Sequence, residues 1–363
     1  MSQQLSPARL TRSKALSLCL LLIPYFLYMG FIIRSDTGPI DYETFMVIGQ
    51  RILAGENPYG PNSYYPLPFG MVFALLSALP RAVSMAIWLI GQLLVFLAIA
   101  GWEPWVLLFS PVFAHFVGGQ AGVFAVLGLW GYRKNAYGLG GAWLALTLLK
   151  PQLALVPVGY ALVTWFKSMM RTRVVPKGFL QMVSATALIF LPAFALMPDW
   201  PIHWLKNPRP FFERALSAVV PRTLLAVGIS PDSPAFWAIL IAAALILLIL
   251  TWYLAKRCLT LELAVTWGFI VSPLVHDYDL VQLVPLLDSR RLQFAAVLSS
   301  VPGWVVIFSM YGNDSAWYVF SLIAPVVLTV MIWSQRHVPR TLAENHVEAA
   351  GPRSLETTGE VAQ

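Results

Sequence analysis

The sequence predicts an all-α polytopic membrane protein of about twelve (11–13) transmembrane segments, and three observations predict it. The 363 residues are 58% hydrophobic and only 11% charged, whereas soluble domains are about 25% charged. The mean hydropathy is +0.70. The charges also gather in short clusters between apolar runs, the pattern by which a membrane protein orients itself. A net charge of +7 arranged in this way points to the lipid bilayer as partner and argues against nucleic acid.

The chain opens on a basic stretch (Arg9, Arg12, Lys14) followed by an apolar run over about 15–33. That run is longer than the roughly 7–15-residue core of a signal peptide and has no A-x-A cleavage site, which predicts a retained anchor after a cytoplasmic N-terminus, residues 1–14. Further apolar segments fall at about 66–80, 83–101, 105–131, 136–149, 152–166, 179–197, 235–255, 261–275, 278–288, 292–311 and 316–334. Residues 15–334 thus form the membrane domain. The polar stretch 335–363 predicts a disordered cytoplasmic tail. Alternating loops put 17 of the 24 basic residues inside, Arg81 among them, and 7 outside. That bias supports a multi-pass cell-membrane protein with both termini cytoplasmic. Cys19 and Cys258 suggest neither a disulfide nor a metal site.

Several segments are short. A 15-residue helix rises roughly 22 Å against a hydrocarbon core near 30 Å. The short ones (66–80, 136–149, 152–166, 278–288) all have an end on the outside, which predicts a cavity there. The segment 105–131 is long, and His115 and Gly118-Gly119-Gln120 interrupt it. It is either one broken span or a re-entrant hairpin.

The loop from Asp41 to Pro68 is long for a connection without function. Asp41 at its start is either a general base at the membrane surface or the N-cap of a helix from Tyr42. Gly55, Asn57, Pro58 and Tyr59 make a turn signature, and Tyr64, Tyr65 and Pro66 an interfacial aromatic belt. Lys150 stands between two apolar runs in LALTLLKPQLALVP. An ammonium there is a functional candidate by default. Pro151 suits a first helical position, so Lys150 marks a helix N-terminus where anions are favoured; phosphate binding and snorkelling are the two readings.

His276, Asp277 and Asp279 follow an outer span end. The Asp-Tyr-Asp spacing resembles a metal-binding D-x-D, but nucleotide sugars are cytoplasmic and this end is not. No metal is therefore expected, and helix capping by Asp277 or Asp279 is the plain alternative. His276 is placed to bridge a phosphate or hold a hydroxyl. Arg209, Arg214 and Arg222 lie on the outer loop from Met197 to Pro234. Gln120 either lines the cavity or joins two helices. Asp41, Tyr65, Lys150, Arg222, His276 and Asp279 come from different loops and all fall on one side.

The order of motifs resembles the GT-C membrane glycosyltransferases, and within them glycosyltransferase family 87, whose members are mannosyltransferase-like. The matching pieces are Asp41, then ILAGENPY, YYPLPFGMVFALLSALP, HFVGGQAGVFAVLGLWG, GGAWLALTLLKPQLALVPVGYAL and SPLVHDYDLVQLVPLL, spanning about residues 36–290. The resemblance implies a GT-C-like bundle with an outer-face catalytic loop and a polyprenyl-phosphate-linked sugar donor. It further implies inverting transfer of a single sugar, mannose being common among relatives, to an envelope glycolipid or glycan acceptor, with no cofactor. Asp41 would be the catalytic base. Lys150, His276, Gln120, Tyr65, Asn57, Tyr59, Arg222, Asp277 and Asp279 would bind substrate. Ala121 and Leu67 depart from the Asn and Pro common in relatives. The rival readings are a lipid or glycan transporter and a non-catalytic envelope-assembly protein. No internal repeat of the kind many transporters show is evident.

Overall fold

The computed structural model describes residues 11–35, 38–60, 63, 65–206, 219–257, 260–272, 275–309 and 323–335. The tail beyond Gln335, together with Arg9, Tyr64, Arg209, Arg214 and Cys258, lies outside the described residues. Among those described, every regular element is a helix. In order they are α1 (Arg12–Arg34), α2 (Ile40–Leu53), α3 (Leu67–Ser77), α4 (Arg81–Ile99), α5 (Trp105–Leu108), α6 (Ser110–Gly118), α7 (Val123–Lys134), α8 (Gly140–Ala145), α9 (Pro151–Thr172), α10 (Lys177–Leu196), α11 (Trp200–Lys206), α12 (Val219–Ala226), α13 (Pro234–Arg257), α14 (Leu261–Val271), α15 (Arg290–Ser299), α16 (Val301–Ser309) and α17 (Ile323–Ser334). A 3-10 turn, Leu146–Leu149, extends α8, and a longer 3-10 helix covers Asp277–Leu286.

Five helices are long and apolar enough to cross a bilayer: α1, α4, α9, α10 and the Pro234–Tyr253 part of α13. The molecule is an all-α membrane protein. The other apolar runs form shorter helices, among them α3, α14 and α17. Little of α13 or α10 is buried by protein. Such faces suit lipid, against which helices associate through packing and hydrogen bonds rather than through a hydrophobic drive.

The path through residues 35–135 departs from the expected one at two places. Residues 66–80 hold a short apolar helix, α3. α3 packs antiparallel against α2 as the returning arm of a hairpin. It delivers Arg81 to Glu43 (2.6 Å) and to the Ser35 carbonyl, beside the end of α1. Arg81 therefore belongs at the Asp41 end, not the opposite one. Residues 105–131 are a hairpin: α6 rises to the Asp41 end and α7 turns back from it. Phe96 meets His115 and Trp88 meets Gly119, so α6 runs antiparallel to α4. α7 then descends to Arg133, which contacts Glu262, Asp288 and the Pro285 carbonyl. Lys150 and His276 arrive at the end that holds Asp41.

Gly119 makes the turn possible. Its φ of 63° is left-handed, and the Gly119 and Gln120 amides donate to the Phe116 and His115 carbonyls, closing α6 in a Schellman arrangement. A side chain would also collide, since a Cβ here would lie 2.7 Å from the Cβ of Tyr42. An aromatic wall formed by Phe45, Phe69, Phe73, Trp88 and Phe124 fills the space between the α2–α3 hairpin, α4 and α7.

At the far end Lys14 pairs with Glu103, and Arg133 and Lys134 pair with Asp288. Burial pushes the Asp288 carboxyl up, but Arg133 and Lys134 outweigh that and hold it below its ordinary value.

Candidate functional site at the Asp41 end

Asp41 is the second residue of α2, and the residue in the N-cap position is Pro39. Asp41 is therefore not the cap. It sits in the first turn with Glu43, where the helix dipole favours an ionised carboxylate. Its Oδ2 accepts a hydrogen bond from Gln120 Nε2. The break after α6 supplies this partner: Gln120 is 1% exposed, and the Gly119 and Gln120 carbonyls are held by Trp88 Nε1 (2.9 Å) and Gln92 Nε2 (3.0 Å) on α4. Next to it the Tyr42 and Ser84 hydroxyls hydrogen-bond at 2.6 Å and fix α2 to α4.

Lys150 is the residue before α9, with Pro151 in the first helical position as expected. Its side chain neither snorkels nor waits for an anion. It is 1% exposed and pairs at 2.5 Å with Asp279, which is 0% exposed. Neither of the two readings, phosphate binding or snorkelling, named this carboxylate partner. A lone ammonium in an apolar interior is too costly, and the chain supplies a carboxylate to it. Asp279 also caps its own helix: Oδ2 accepts the His276 amide (3.1 Å), and the Asp279 amide returns to His276. The capping expectation holds for Asp279, while its other oxygen serves Lys150.

Tyr278 closes the cluster. Its ring lies over Lys150 Nζ at 5.1 Å and stacks on the His276 imidazole at 4.9 Å. Asp41, Tyr65 and Asp277 all lie within electrostatic reach of its hydroxyl. Tyr65 stacks on Phe69 (4.4 Å) and meets Phe45 edge-on, which anchors it in the aromatic wall. Asp41, Gln120, Tyr65, Lys150, His276, Asp277 and Asp279 are thus brought to one end of the bundle.

Asn57 and Tyr59 are not brought there. They follow the far end of α2, a 14-residue helix of roughly 21 Å. The Asn57 side chain accepts the Tyr59 amide (2.9 Å), a local turn, and Tyr59 packs with Leu67 and Trp200. Both brace the hairpin, as the turn signature alone suggested. Arg222 lies in α12, but its side chain is outside the described residues. Among the described residues no group of three or more His, Cys, Asp or Glu could hold a metal ion.

Sequence reasoning missed Gln92, and it read His115 only as an interruption. Both are polar side chains within apolar runs, a signal that was there to be used. No family model, no curated protein and no solved structure matches this chain.

Proposed function

We propose that the chain is a membrane glycosyltransferase of the GT-C type, moving one sugar from a polyprenyl-phosphate donor to a hydroxyl of a glycolipid or glycan acceptor at the outer membrane face. One observation carries this reading. Asp41, in the first turn of a helix, is held by an amide N–H in the position that an attacking hydroxyl would take, beside the Lys150–Asp279–Tyr278 cluster. The resemblance to family 87 supports it from the motif order. A bundle of about twelve spans, with the short helices leaving a lateral opening, belongs to the same proposal.

In this mechanism the acceptor hydroxyl displaces the Gln120 amide and gives its proton to Asp41. Its oxygen forms the new bond to the anomeric carbon as the bond to the phosphate oxygen breaks, with inversion, and the electron pair leaves on the polyprenyl phosphate. That phosphate takes a further N–H of Lys150, whose ammonium has three donors and keeps its bond to Asp279. His276 and the N-terminus of α9 face the same group and favour negative charge. A site drier than bulk water strengthens such stabilisation, and a positioned base contributes about 10²–10⁴ in rate.

The test offers membranes from an expressing strain a panel of polyprenyl-phosphate sugars and follows release of polyprenyl phosphate. Release that depends on Asp41 supports the proposal. Substrate movement across the membrane without turnover would favour a transporter. Intact envelope assembly with alanine at positions 41, 150 and 276 would favour a scaffold.

A further inference from the structure

Three buried polar side chains meet at the break between α6 and α7, and the mechanism above leaves part of each unused. Gln92, His115 and Gln120 are 2%, 0% and 1% exposed. Gln92 donates its amide to the Gln120 carbonyl, but its Oε1 has no hydrogen-bond partner. Gln120 donates its amide to Asp41 and likewise leaves Oε1 without one. His115 lies edge-on to Phe96 with neither ring nitrogen bonded. Gly122 leaves space for that ring, since a Cβ there would lie 2.9 Å from Nε2. Each unpaired buried polar atom is costly, and an apolar side chain at 115 would avoid the cost. Polar groups buried beside a functional site call for hydroxyls that satisfy them, from ordered water in the resting protein and from a ligand that displaces it.

The chemistry of the set selects the ligand. Two amide oxygens accept, and a neutral imidazole donates once and accepts once. Their complement is a group with several hydroxyls. An anion would face both amide oxygens and the Asp41 carboxylate. A metal cation would need more ligands than this set supplies, and among the described residues no group of three or more His, Cys, Asp or Glu could hold one. We infer that Gln92, His115 and the Gln120 side-chain carbonyl form an inner subsite for a neutral, hydroxyl-rich ring, such as a hexose, and not for the phosphate. This inference deepens the proposed function and rests on it. Its entrance is the Asp41–Gln120 hydrogen bond, which the incoming hydroxyls replace.

The probes are decyl glycosides with gluco, manno and galacto headgroups, titrated against the protein in lipid nanodiscs and read by tryptophan fluorescence. Trp88, bonded to the Gly119 carbonyl, reports on the break. Decyl phosphocholine controls for the tail. Gln92→Leu and His115→Phe should each weaken binding of at least one glycoside about tenfold, the loss of roughly one good hydrogen bond. Both should leave decyl phosphocholine binding unchanged, and His115→Phe should leave the thermal midpoint unchanged or raised, whereas Gln92→Leu also removes the donor to the Gln120 carbonyl and should lower it. Unchanged glycoside affinity in both variants overturns the inference. So does a lowered midpoint in His115→Phe, which would make the imidazole a structural partner, and so does a wild-type protein that binds no glycoside. Asp41→Asn separates the two proposals. Glycoside binding that needs His115, without any Asp41-dependent transfer, removes the transferase and keeps the subsite. Transfer indifferent to positions 92 and 115 removes the subsite alone.

Discussion

Replacing Asp279 by alanine tests the physics of the site apart from its chemistry. Lys150 and Asp279 are 1% and 0% exposed and 2.5 Å apart. At an effective dielectric of about 20 that separation gives roughly 7 kcal/mol of attraction, which the desolvation of two ions largely offsets. Removing one partner keeps the desolvation of the other and loses the attraction, so Asp279→Ala should cost about 3–5 kcal/mol. Loss of the cap on the His276 amide adds roughly 1 kcal/mol. Removing both ions together, Lys150→Met with Asp279→Leu, should restore most of that stability. The assay is reversible unfolding in mixed micelles with rising dodecyl sulfate, read as a double-mutant cycle. Asp279→Ala within about 1 kcal/mol of wild type, or a double variant no more stable than the single one, would refute a buried, mutually dependent pair.

Other predictions follow from the same geometry. Asp41→Asn should insert and fold like wild type and lose about 10²–10⁴ of turnover, checked by comparing thermal midpoint with initial rate in one purified sample. Gly119→Ala must adopt a left-handed backbone, at roughly 1–2 kcal/mol, and must push a Cβ against Tyr42; its thermal midpoint should fall, and transfer with it as Asp41 shifts. The ion cluster at the far end gives a pH dependence. Asp288 has a lowered folded pKa, so its contribution is present above the unfolded carboxylate value of about 3.9 and is lost as pH falls below it. Because Asp288 is 51% exposed the effect is small. In thermal melts between about pH 3 and 6, Asp288→Asn should flatten the acid side of the profile and leave neutral stability little changed.

Much of the fold was legible because apolar length and charge placement are local properties. The five long helices coincide with the runs at 15–33, 83–101, 152–166, 179–197 and 235–255. Two features were not legible, and both depend on contacts. Residues 66–80 are apolar enough to suggest a span; that α3 folds back on α2 rests on contacts among Phe45, Tyr65, Phe69 and Phe73, which hydropathy cannot register. The Gly118-Gly119 break could mean a kink or a turn. What decides between them is the fit of Gly119 against Tyr42, far away in sequence.

For the site, the gathering of polar residues at one end was readable, while the pairings were not. Lys150 meets Asp279 and Asp41 meets Gln120 across 129 and 79 positions of chain. Asp41 looked like a cap because caps are commonly carboxylates. The structure gives the cap position to Pro39 and leaves the carboxylate to Gln120. Asn57 and Tyr59 were drawn into the site by motif order alone; in the structure Asn57 closes a local turn and Tyr59 packs with Leu67 and Trp200.

The most direct measurement is polyprenyl-phosphate release from a panel of polyprenyl-phosphate sugars, by wild-type protein and Asp41→Asn prepared side by side. The proposal predicts release from at least one donor by the wild type, with the sugar recovered on an acceptor, and loss of both in a variant that is folded and inserted. Full turnover by Asp41→Asn, or no release from any donor by folded wild-type protein, would contradict it.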